Sequence, residues 1–433
     1  MERYESYKGS GVEWIGEIPK SWRIVRAKSI FTQRKSKGNT DLTQLSATQD
    51  KGMVPQSLLA SVVQVSEEAD LSQFKTVHKG DFVISLRSFQ GGFELSQYEG
   101  VCSPAYQVFF GDQLVSTSYF KYLFKCDGFI SKMNSLTVGI REGKNIQYQD
   151  FANSLIVLPS KLEQKNIADY LDRQTLIIDS LVQKTKKSIE LLQEQRKSVI
   201  SEAVTKGLDP NVPMKDSGVE WIGEIPEGWE IIRLGLVAYI RARIGWRALK
   251  AEEYVEAGYP MYSAFNIVDE KFVSTPVNYI TEARYLESPE IMIKQGDLML
   301  VKDGAGVGKC ALVRKLDHKA TVNGSIALIS PNQKIDSRYL YYFFESNAFQ
   351  HFAKMLMGGM GVPHLFQSDI KLMKIVLPLK SFQKDIADYL DQKTSEIDSL
   401  INKKKQLVQK LHEYRKSLIS ECVTGKVKVP GVE

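Results

Sequence analysis

Cysteine and histidine are scarce. Of 433 residues, four are Cys and five are His. Cys102, Cys126, Cys310 and Cys422 stand far apart without a CxxC, and no HxxH or HExxH pair occurs among His78, His318, His351, His364 and His412. Such spacing excludes a zinc cluster and a disulfide framework. It suits a reduced, cytoplasmic protein. No window approaches the roughly 18 uninterrupted apolar residues of a membrane span. The opening MERYESYKGS lacks an apolar signal region. Excess charge of one sign is missing too: the net is +6, and no segment is strongly basic. Charge alone therefore does not announce nucleic acid. It permits it only where basic residues gather on one face.

What is present is a repeat. SGVEWIGEIP begins at Ser10 and again at Ser217, each followed by a tryptophan, Trp22 and Trp229. Chance gives on the order of one in ten trillion for a chosen pair of ten-residue windows. A second match begins with IADYLD at Ile167 and Ile386 and runs to ISEAVT and ISECVT. SLIVLP ending at Pro159 and KIVLP ending at Pro378 precede these stretches. GDFVIS at Gly80 and GDLMLV at Gly296 are a weaker pair. Between the anchors the two halves hardly resemble each other.

Both repeated stretches read as long helices. Leu171, Ile178, Thr185, Leu192 and Val199 are spaced by seven, and Leu390, Ile397, Lys404, Leu411 and Leu418 match them. Leu181, Ile189 and Ala203 widen the first stripe; Leu400, Val408 and Cys422 widen the second. Seven-residue spacing sustained over about 40 residues, without Gly or Pro, indicates coiled-coil packing. Thr185 and Lys404 are equivalent polar interruptions, of the kind that fixes register. The fold expected is mixed α/β with a pseudo-two-fold internal repeat. Two globular α/β domains, 1–160 and 209–380, are separated by long helices in 161–208 and 381–433 that form an antiparallel coiled coil. The seam residues are Leu171, Ile178, Leu192, Val199, Leu390, Ile397, Leu411 and Leu418.

Catalytic motifs fail on inspection. KDGAGVGKC (residues 302–310) resembles a P-loop, but Asp303 stands where the first Gly is needed and Cys310 where Ser or Thr is needed. A Gly-rich hairpin is the better reading, with Lys309 and backbone N–H groups available to a phosphate. Asp150 with EQK at residues 163–165 loosely resembles a nuclease pattern, but the second copy reads SFQK, without the Glu. Arg and Lys suit guanine, and Asn and Gln suit adenine, when DNA is read directly. Beside Gly-rich turns of the divergent regions stand Arg87, Gln90, Arg141, Lys144, Asn145 and Gln147. In the second half stand Arg241, Arg243, Arg247, Lys302, Lys309, Asn323, His364 and Gln367. Trp14, Trp22, Trp221 and Trp229 read as packing anchors, because identical residues in domains of different specificity serve the scaffold.

The twofold SGVEWIGEIP, the twofold IADYLD–IDSL and RKSxISExVT helical blocks, and the alternation of divergent and matching segments resemble the DNA-specificity subunit of type I restriction–modification enzymes, over essentially the whole chain. The resemblance implies a sequence-specific, non-catalytic reader of a bipartite, asymmetric site on double-stranded DNA. It implies that the divergent regions are target-recognition domains. The helices would separate them and dock modification (methyltransferase) subunits, two of them, together with restriction (endonuclease and translocase) subunits. No cofactor is then expected in this chain; S-adenosylmethionine, ATP and magnesium belong to the partners. A coiled-coil scaffold without a DNA role is the rival reading.

If the helices act as a ruler, one extra helical turn of about four residues adds ~5.4 Å. With DNA rising about 3.4 Å per base pair, the non-specific gap grows by one or two base pairs. Inserting the turn in register within residues 192–199 and mapping methylated sites is expected to return both half-sequences unchanged with a longer gap. An unchanged gap in an active variant would rule out the ruler.

Overall fold

The structure is a computed structural model of the chain and describes residues 2–38, 41–48, 51–59, 71–85, 92–136, 146–243, 251–304, 306–356 and 364–431. It divides into two compact units, Met1–Thr185 with Gln406–Glu433, and Lys186–Lys405. The long helices run Lys161–Lys206 and Lys380–Val423, and each contributes one portion to each unit.

Each unit starts with the repeated motif. Tyr7–Gly9 pairs antiparallel with Glu17–Pro19 in the first, and Met214–Asp216 with Glu224–Pro226 in the second. Gly16 and Gly223 turn these hairpins with φ of 69° and 73°, a backbone region that side-chain-bearing residues rarely enter. The next strand, Arg23–Arg26 or Glu230–Arg233, pairs with the strand just before the long helix, Leu155–Leu158 or Lys374–Leu377. Each domain is thereby closed at its own two ends.

The divergent interiors share a sheet. In the first unit its order is Phe31–Gln33, Gln107–Gly111, Phe82–Ile84, Phe93–Leu95. In the second it is Ala238–Arg241, Ile326–Pro331, Leu298–Val301, Cys310–Leu312. All these pairings are antiparallel. The weak GDFVIS and GDLMLV match falls on the third position of each sheet. Its aspartates are buried and bind an arginine of the first strand region: Arg34 to Asp81 at 2.6 Å and Arg241 to Asp297 at 2.6 Å. The cores differ in filling. The first packs Phe31, Phe82, Phe109, Phe124 and Phe151 together; the second relies on Tyr339, Leu340, Phe344 and Phe349 with aliphatic strands.

Within each unit the two long helices pack antiparallel. In the first, Leu171, Ile178 and Val182 share a core with Leu418, Ile419, Cys422 and Val423, with Leu411 half-buried against it, and Arg415 meets Asp179 at 3.2 Å. In the second, Ile200, Ala203 and Val204 share a core with Ile386 and Leu390, Val199 packs on its edge, and Arg196 meets Asp398 at 3.1 Å. Ile397 is buried, while Leu192, Thr185 and Lys404 are half-buried. The stripe is narrower than the sequence suggested. Leu181 and Leu400 are 46% and 47% exposed. The buried flank belongs to the next residues, Val182 and Ile401, since one residue turns the helix by about 100°.

The second unit adds a buried acid. Glu345, at the end of helix Ser337–Glu345, accepts a 2.8 Å hydrogen bond from Arg196. Burial pushes its carboxyl up to about 7 against the pull of Arg196. A carboxyl whose folded pKa lies above its unfolded value holds its proton more tightly when folded. The stability it contributes is full below the unfolded value and lost as pH rises through about 7. Glu345→Gln cannot titrate, so the fall in stability between about pH 5 and pH 7 is expected to flatten in urea melts of the variant. An unchanged slope would show that this carboxyl titrates normally.

Candidate nucleic-acid interface

The second unit gathers four of the sequence candidates. Arg243, Lys302, His364 and Gln367 line one open pocket of about 320 Å³, with Leu365, Phe366 and Ser368 completing its wall. Two elements bring them together. Lys302 follows the strand Leu298–Val301, and its carbonyl accepts from the Leu365 N–H at 2.9 Å. His364 bridges antiparallel to Asp303, just before the short helix Gln367–Leu372.

Asp303 organises the cationic side of the pocket. One carboxylate oxygen takes Lys302 Nζ at 2.5 Å and the other takes His364 Nδ1. A carboxylate of this kind accepts only, so Nδ1 carries the proton and Nε2 is the second ring position. Arg243 differs. Its Nε is buried and has no hydrogen-bond partner among the described residues. Phe366 is exposed and meets the His364 ring at 4.3 Å between centroids.

Other candidates have structural employment. Arg241 spends its guanidinium on Asp297, Ser330 Oγ at 3.0 Å and the carbonyls of Glu290 and Met292. It occupies the place that Arg34 holds in the first unit, so it is a fold residue and not a free reader. Asn323 accepts from Ser325 N–H and Oγ and donates its own N–H to Tyr262. Lys309 is exposed at the end of the Gly-rich hairpin. That hairpin is a turn, with Gly304 and Gly308 at φ of 85° and 88°. The N–H groups of Val307, Gly308 and Lys309 donate to its own carbonyls. They cannot also cradle a phosphate, which corrects the expectation for those backbone groups. Gln147 is exposed next to the short helix Tyr148–Asn153. Arg87, Gln90, Arg141, Lys144, Asn145 and Arg247 lie outside the described residues.

The nuclease pattern dissolves into scaffold. Glu163 accepts from the Trp22 indole at 3.0 Å and from Ser160. The glutamine beside it, kept in both copies, does parallel work. Gln164 joins Pro159, Leu114 and Ser116, and Gln383 joins Pro378, Lys334 and Asp336. Among the described residues no group of His, Cys, Asp and Glu is placed to hold a metal ion, and no helix is long and apolar enough to cross a membrane. Sequence reasoning missed Asp303 as a partner of His364. The two are 61 residues apart, and nothing local links them.

A duplicated α/β scaffold with diverged interiors and paired long helices defines the class: an internally repeated protein of two α/β units. The chain belongs to the family described as type I restriction modification DNA specificity domain, which it matches over residues 19–191 and 226–410. It is 28% identical over 295 residues to the type I restriction enzyme MjaVIII specificity subunit of Methanocaldococcus jannaschii, covering 66% of each chain. Its fold is similar to a chain from a structural study of complex assembly and conformational transition in the type I R-M system, with a TM-score of 0.72 at 16% identity, covering 94% of this chain and 98% of that one. The HsdS subunit from Thermoanaerobacter tengcongensis gives a TM-score of 0.55 at 16% identity, with the same coverage.

Asp297→Ala strands Arg241 in a buried setting. Breaking such a pair costs about 3–5 kcal/mol, so chemical denaturation is expected to show a large loss of stability. A loss below about 1 kcal/mol would place this pair among the inconsequential surface ones.

Proposed function

We propose that each unit reads one half of a bipartite, asymmetric double-stranded DNA site, and that the chain scaffolds the enzyme subunits of a type I restriction–modification complex. A DNA sequence-specificity role follows from the family itself. The observation that carries the bipartite reading is a scaffold repeated element for element around interiors that differ. Twofold dimers read palindromes because their halves are identical; a fused pair with unlike halves suits unlike half-sites. A coiled-coil scaffold without a DNA role would leave the divergence of the interiors without purpose.

In this reading the chain performs no chemical step. Its partners are two modification subunits and the restriction subunits, and these bind S-adenosylmethionine, ATP and magnesium. The work takes place in the cytoplasm. The repeated faces of the helices would receive the paired modification subunits, because a partner present twice needs a surface written twice.

Replacing residues 24–150 by the equivalent of another family member is expected to change one half-sequence and leave the other. The readout is long-read mapping of methyladenine in host DNA, with gel shifts of the complex with modification subunits weakening steeply as salt rises. A change in both halves would end the one-unit, one-half assignment.

A further inference from the structure

We propose that the open pocket of the second unit reads a guanine, with Arg243 as the reading residue. This rests on the DNA-reading role above and goes a step further: it names one side chain and one base.

Two arginines two residues apart make the contrast. Arg241 gives four of its five N–H groups to a carboxylate, a hydroxyl and two carbonyls. Arg243 lines the pocket with a buried Nε that no described residue accepts from. A buried donor left unpaired costs free energy that a suitable acceptor removes. The cation next to it is already balanced, because Asp303 binds both Lys302 and His364.

The rest of the wall favours a base over a phosphate. A phosphate calls for free donors, whereas Lys302 and His364 of this wall already bind Asp303, and the rest holds the two-sided amide of Gln367 and the exposed ring of Phe366, 59% accessible. A base edge, in contrast, carries donors, acceptors and an apolar face. The acceptor pair of guanine, O6 and N7, is the edge that complements a guanidinium fork, and the commonest specific contact in the major groove.

The test is selection of randomised DNA duplexes by the complete complex with its modification subunits, for the unaltered chain, Arg243→Ala and Arg243→Lys. Both variants are expected to lose preference for guanine at one position of one half-site, by about 5- to 150-fold, with the other half intact. Lys keeps the charge and the stem but not the fork, so it also guards against simple misfolding of the Ala variant. Uniform weakening on all sequences in Arg243→Ala, restored by Lys, would make Arg243 a phosphate contact and overturn the proposal. Unchanged preference in both variants would overturn it as well, while leaving the DNA-reading role standing. An unaltered complex with no sequence preference at all would sink that role, and this pocket with it.

Discussion

Each unit depends on how the last turn of one long helix is seated. In the first unit the buried Tyr119 hydroxyl donates to the Val423 carbonyl at 2.7 Å; in the second, Tyr339 donates to Val204 at 3.0 Å. The last carbonyls of a helix have no intrahelical partner, so a buried helix end needs such a donor. Three residues along, Tyr122 bonds Asp172 and Thr175 on the start of the opposing helix, and Tyr342 bonds Asp391 and Thr394. One short helix of each domain thus grips the end of one rod and the start of the other. Each hydrogen bond is worth only about 1 kcal/mol net, but losing one would leave a buried group unmet.

The same requirement explains why SGVEWIGEIP is written twice. The glycine that ends each long helix, Gly207 or Gly425, has positive φ and lies against Trp229 or Trp22. A methyl group added at Gly425 would stand 2.5 Å from Pro19, and at Gly207 3.1 Å from Trp229. The helix stops on a glycine because of its backbone, and the tryptophan packs there because the glycine leaves room. Trp14 and Trp221 cover neighbouring helices, beside Phe129 in one case and His351 and Phe352 in the other.

The scaffold was legible because it is repetitive. Heptad spacing located both rods, and repeated words located the hairpins and the closing strands. The shared sheet was nearly invisible: two GD dipeptides were its whole trace, and the Arg34–Asp81 and Arg241–Asp297 pairs that they support join residues 47 and 56 apart. Arg241 therefore passed for a reader. A basic residue near a turn has the same appearance in sequence whether a carboxylate awaits it or not. The exposed Leu181 and Leu400 misled for a related reason, since a heptad stripe does not say how wide its partner is.

What separates a reading residue from a structural one here is whether its donors are already spent. Interiors that must differ between family members cannot rely on repeated words, so their binding groups have to be found by accounting for partners. In the second unit Arg241 gives its N–H groups to four partners, and Lys302 is bound to Asp303. The Arg243 Nε has no such partner among the described residues, and Arg243 lines a pocket with His364 and Gln367. The scaffold arginine ends the edge strand Ala238–Arg241, and the reading arginine lies two residues past it. The strand holds the first in the sheet, where its donors meet partners. The second stands just beyond the strand with its Nε unmet among the described residues, and an unmet buried donor gains from an acceptor that a ligand brings.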